Sequence, residues 1–172
     1  YYMTTSMYAK AALSEFEAPG SVDAETFVIS AYQASQWQEA ASSRSTFDEI
    51  VATGAVNLVR SEKARNLLIA YYEFDWTKAL TVTSRPHYRE LMRGVMPYPV
   101  QEAIKSACGD QSKRTGRTNL TWLPEKCDID LPSKYIERAA AALRAAPGME
   151  QALRYQLAEN DTKVANYAST RK

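Results

Sequence analysis

The residues with the clearest capacity for chemistry are arginines. Arg85, Arg89 and Arg93 recur every four residues, so on a helix they line one side. A guanidinium offers a bidentate fork to carboxylate or phosphate, which makes the three a candidate anion-binding site. The competing reading is a solvated face paired with Glu90 and other acids. Lys113, Arg114 and Arg117 form a second basic cluster, suited to membrane phosphate or a partner's acidic patch, or simply solvated loop charge. Asp75 falls on the face of Leu68, Tyr71 and Val82, where an apolar residue is expected, and Lys78 is within reach at i+3. The two are a candidate buried polar pair. The simpler alternative is a helix that has emerged into solvent by that turn.

Familiar catalytic constellations do not occur. A Ser-His or Cys-His pair has only His87 to use, in the first turn after Pro86 and with no motif around it, so it reads as a surface histidine. A di-iron Glu-x-x-His motif needs a carboxylate at position 84, which is Ser84. P-loop, G-x-G-x-x-G, G-x-S-x-G and H-E-x-x-H patterns are missing, and one histidine with two cysteines supplies no zinc site of several His/Cys ligands. No catalytic residue, metal or cofactor is therefore assigned. Paired acids leave no local signature, so a hydrolase using two carboxylates in a cleft stays as the alternative. Net charge is +1 from 21 basic and 20 acidic residues. That balance gives no global field to attract nucleic acid.

Cys108 and Cys127 are the only cysteines, so they have no competing partner. Cys108 ends an apolar-striped helix, and Cys127 stands where a long polar stretch returns to start the next helix. A disulfide there would hold residues 109–132 in one conformation; the alternative is two reduced, buried cysteines in a cytosolic protein.

The elements that must position these groups are helical. Pro and Gly punctuation sets the ends: Pro19-Gly20, Pro86, Gly94, Pro99, Gly109, Pro132 and Pro147-Gly148. Tyr2, Ala9, Leu13 and Phe16 share a face of the first helix. Ser21 or Asp23 caps a second helix over about Ala24 to Ser42, with the stripe Phe27, Ala31, Ala34, Trp37 and Ala41. Thr46 and Glu49 form a capping box, Gly54 is a C′ residue, and Ser61 caps a further helix. That helix is apolar on two sides, with Leu67, Leu68 and Tyr71 on one and Ile69, Tyr72 and Trp76 on the other, so it is expected to be central. The last helix carries Met149, Leu153, Leu157, Val164 and Tyr167, interrupted by Asn160. Residues 109–132 read as irregular, with Thr118–Leu123 a short extended piece. The expectation is an all-α, single-domain irregular bundle over 1–172, of six or seven helices, with one long disulfide-tied loop.

The run Phe47-Asp48-Glu49-Ile50-Val51-Ala52-Thr53-Gly54, then Asn57-Leu58-Val59, Ala64-Arg65 and Tyr71-Tyr72, resembles the signature of an uncharacterised bacterial family. Its members are single-pass, membrane-anchored proteins with a helical periplasmic domain. The resemblance covers about thirty residues. Ala64 departs from it, since leucine usually precedes that arginine. It implies a periplasmic location, anchored to the inner membrane, and a helical fold. No run of this chain approaches the roughly 18 apolar residues of a membrane span, and it opens on Tyr1 inside a helical pattern, so an N-terminal anchor is expected in a segment missing here. Together these readings lead to a non-enzymatic extracytoplasmic helical module that binds a protein partner or small ligand at the membrane surface.

Overall fold

The computed structural model describes residues 1–38, 45–73, 86–115 and 118–169. The chain is all-α apart from one two-stranded hairpin. Among the described residues there are eight α-helices: α1 (Tyr2–Glu17), α2 (Ala24–Ala34), α3 (Ser45–Ala52), α4 (Glu62–Glu73), α5 (His87–Val95), α6 (Tyr98–Cys108), α7 (Ser133–Ala145) and α8 (Met149–Ser169). A 3₁₀ turn, Ala55–Leu58, and an antiparallel pair, β1 (Gln111–Thr115) and β2 (Thr118–Trp122), complete the list. The chain divides into two compact units, Gln38–Ser84 and the remainder.

The larger unit is organised around α2. Asp23 caps it, its carboxylate accepting from the Thr26 backbone N–H at 2.9 Å. Every residue from Phe27 to Ala34 is buried, more than two full turns, so α2 is covered on all sides. It packs on α1, α6 and α7. Its apolar core partners include Met92 of α5, Ile104 of α6, Leu143 of α7 and Leu153 of α8. Phe16 of α1 meets Phe27 edge-on at 5.2 Å between ring centres.

The turn between α1 and α2 is closed by Glu15. Gly20 has φ +89°, a left-handed conformation that glycine adopts without strain. That turn presents the Gly20 and Val22 N–H groups to the Glu15 carboxylate, at 2.9 and 3.2 Å. Arg144 of α7 donates to the same side chain through Nε at 3.0 Å and Nη2 at 2.6 Å, and the Glu15 side chain is wholly buried. The Gly20 N–H, then Val22 and Arg144, hold the carboxyl below its usual pKa against the opposing effect of burial.

The seam between α1 and α8 is polar. Asn160, an interruption of the apolar stripe in sequence, is fully buried. It donates to Thr5 Oγ1 at 3.1 Å and accepts from Gln156 Nε2 at 2.9 Å, so its amide is satisfied on both sides. Lys163 lies in the same seam with Nζ 5.1 Å from the Tyr2 ring centre.

The smaller unit corrects the expectation of a central helix after Ser61. α3 begins at Ser45, so Thr46, the expected cap, lies inside the helix; Gly54 takes φ +70°, and Ser61 Oγ accepts from Ala64 N at 3.2 Å, so the Gly54 turn and the Ser61 cap were legible. Burial was not. No residue of α4 is buried, and Leu67 and Tyr71 are 63% and 51% exposed. Its principal partner on α3 is Phe47, stacked on Tyr72 at 4.3 Å. Among the described residues α3 meets α4 on its Tyr72 side, while Leu67 and Tyr71 on the other apolar side are exposed.

Other differences are local. α2 ends at Ala34 and not near Ser42, and α5 passes Gly94 to end at Val95. The long polar stretch contains β1 and β2 in register Gln111↔Trp122 through Thr115↔Thr118, of which only the second strand was anticipated.

Candidate functional site

The C-terminal end of α2 is where the arginines converge. The helix stops at Ala34 and leaves its last carbonyls without intrahelical partners. Tyr88 of α5 donates to the Ala31 carbonyl at 2.9 Å, and Ser35 Oγ to the Tyr32 carbonyl at 2.6 Å. Arg89, one residue on from Tyr88, donates through Nη1 to the Ser35 carbonyl at 2.8 Å and Gln36 Oε1 at 3.2 Å. A cation at the negative end of a helix is favourably placed.

Arg93 follows one turn later on α5, and its Cζ lies 4.0 Å from the Tyr32 ring centre, a cation–π stack. Its Nη1 donates to the Tyr32 hydroxyl at 2.7 Å and to Gln101 Oε1 at 3.3 Å. Gln101 is held in turn by the Arg93 and Met96 carbonyls, at 2.9 and 2.7 Å. Pro97 and Pro99 make the tight connection from α5 to α6 that returns Gln101 to this position.

Among the described residues every hydrogen-bond partner of these two arginines is a neutral oxygen. Neither makes an ion pair with a carboxylate of those residues, and neither uses Nε or Nη2 toward them, the edge that engages an anion in bidentate fashion. Arg93 Nε is buried without an acceptor. Burial, and then the Arg93 charge, pull the Arg89 pKa below its usual value. The helix end supplies about half a negative charge against two positive ones. Asp110 lies at the margin, exposed, and accepts from the Tyr1 hydroxyl at 3.1 Å. Burial and Asp110 both raise the Tyr1 pKa.

Of the three arginines singled out by spacing, Arg89 and Arg93 are thus brought together, and Arg85 lies outside the described residues. Asp75 and Lys78 also lie outside them. Tyr32, Gln36 and Gln101 were not foreseen. Their positions, up to 61 residues from the arginines they contact, leave no local signal.

Cys108 and Cys127 form a disulfide with Cα atoms 5.5 Å apart, and it borders this region. The Cys108 carbonyl accepts from Gln33 Nε2 of α2 at 2.6 Å. His87 is exposed. A groove of about 310 Å³ in the smaller unit carries Asp48 and Glu73 among its lining residues. Both acids are exposed, whereas a general acid needs burial or a like charge to keep its proton near neutral pH. Among the described residues the one buried carboxylate, Glu15, is engaged by two backbone N–H groups and Arg144. Among these residues no group of three His, Cys, Asp or Glu side chains is placed to hold a metal, and no helix is long and apolar enough to cross a membrane. No protein-family model, curated protein or solved structure matches the chain.

Proposed function

We propose that this protein is a non-enzymatic, extracytoplasmic helical binding module. Its ligand presents an anionic group, a carboxylate or phosphate on a small molecule or partner, to Arg89 and Arg93. The observation that carries this reading is the pair of guanidinium groups one helical turn apart, anchored through Nη1 to neutral oxygens and, among the described residues, without a carboxylate partner. Two like charges held partly out of water are unfavourable to each other, and a bound anion relieves that cost. The Nη1 bonds fix both planes beforehand, so little side-chain entropy remains to be lost on binding. The disulfide supports the extracytoplasmic assignment, because such bonds persist in oxidising compartments.

Thermal denaturation in rising inorganic phosphate, against chloride at matched ionic strength, tests the reading. Phosphate should raise the melting temperature of the native protein, and Arg89→Gln/Arg93→Gln should abolish that rise. Arg93→Lys, which keeps the charge and loses the fork, should weaken it. An equal phosphate-dependent rise in the double variant would leave only a structural role, with Arg89 capping α2.

A further inference from the structure

The β1–β2 hairpin takes no part in the arginine site, yet its base is firmly tied. The Cys108–Cys127 bond flanks it. Leu123, directly after β2, is buried, and the Tyr8 hydroxyl of α1 donates to the Pro124 carbonyl at 2.8 Å. An isolated two-stranded hairpin is marginal in water, so these anchors give it a fixed place from which to project.

What it projects is one-signed and partly apolar. Residues 111–124 contain Lys113, Arg114 and Arg117 and no acid. The register pairs Lys113 with Leu120 and Gln111 with Trp122, and directly opposed residues share a face of an antiparallel pair. Leu120 is 61% exposed and Trp122 39%. A cation, an aliphatic side chain and an indole therefore stand side by side on one face. Tryptophan favours the level of lipid headgroups, and lysine beside it reaches anionic phosphates.

We propose that this hairpin docks on an anionic lipid bilayer, with Leu120 and Trp122 entering the headgroup region and Lys113 meeting lipid phosphates. The size of the face selects this occupant. Five residues at about 3.4 Å and two strands about 4.8 Å apart make a face of roughly 160 Å². A stable protein interface needs about 800 Å² per partner. A charged membrane needs no such area, since it meets each basic side chain separately.

The full chain, with its disulfide intact, is sedimented with phosphatidylcholine vesicles with and without phosphatidylglycerol. It should bind the anionic vesicles selectively, lose binding at high salt, and show a blue shift of tryptophan emission that Trp122→Phe removes. Lys113→Gln should lower the partition coefficient about fivefold, and Arg114→Gln, on the opposite face of β1, should lower it less. Lys134→Gln, the same charge change on an exposed position of α7, should leave most of the binding in place. Leu120→Ser should weaken vesicle binding and leave binding to soluble polyglutamate unchanged. Equal binding to neutral vesicles, an equal loss in the α7 variant, or polyglutamate binding with no role for Leu120 at the vesicle would each overturn the proposal. The last would assign the surface to an acidic polypeptide.

Discussion

Replacing Glu15 by Gln should destabilise the larger unit by about 3 kcal/mol at neutral pH, because the carboxylate is the common acceptor for three groups. Its Oε1 receives Arg144 Nε and Nη2, at 3.0 and 2.6 Å, and its Oε2 receives the Gly20 and Val22 N–H groups at 2.9 and 3.2 Å. An amide keeps the shape but offers one oxygen and turns an NH₂ toward donors. If the oxygen stays with Arg144, the Gly20 and Val22 N–H groups lose their acceptor; Gly20 is exposed and Val22 half-buried, so their cost falls toward the lower end of the roughly 1–3 kcal/mol for an orphaned buried group. Arg144 is 38% exposed at its side chain, so it can rehydrate, which holds the total near the lower end of the roughly 3–5 kcal/mol range for breaking a buried pair. The pH dependence has a definite sign. The folded-state pKa is depressed, so the stabilisation is complete above the unfolded value of about 4.3 and is lost as pH falls through the folded value. Urea denaturation of both proteins at neutral pH and below pH 4 measures this. The gap should be full at neutral pH and narrow in acid. A gap under about 1 kcal/mol, or one independent of pH, would show that Glu15 does not hold the turn as described.

Removing the disulfide with Cys108→Ser/Cys127→Ser should cost about 3 kcal/mol by chain entropy for a separation of 19 residues, read as a lower denaturation midpoint. Phe27→Ala on fully buried α2 should cost about 3–5 kcal/mol, whereas Leu68→Ala on the half-covered α4 should cost about 1 kcal/mol or less; similar values for the two would restore α4 as the central helix. Asn160→Ala should cost about 1–3 kcal/mol by stranding Thr5 and Gln156, and Asn160→Asp should not rescue it, because the Thr5 hydroxyl already donates to the Tyr2 carbonyl.

Helix boundaries were legible because proline and glycine act locally. Pro19-Gly20, Pro132 and Pro147-Gly148 mark ends that the structure keeps. Which helix is central was not, because periodicity reports where apolar side chains lie and not what covers them. Among the described residues α4 has two apolar sides and one short neighbour. α2 buries Ser30, Tyr32 and Gln33, polar residues that dilute its pattern; the Tyr32 hydroxyl accepts from Arg93 and Gln33 Nε2 donates to the Cys108 carbonyl. β1 was missed because Gln111, Ser112, Lys113 and Arg114 have no alternating hydrophobicity, and its pairing depends on β2 and the disulfide. In the candidate site the four-residue arginine spacing was visible, but spacing cannot tell a solvated face from one packed against the end of another helix.

The most direct test of the anion site reads the arginine Nε–H groups themselves. Proton–nitrogen NMR of uniformly labelled protein, titrated with inorganic phosphate, should show a saturable downfield shift and slowed solvent exchange at Arg89 Hε, assigned through Arg89→Lys. An Arg89 Hε signal that stays in place, or moves linearly with ionic strength alongside surface arginines such as Arg138, would contradict the account.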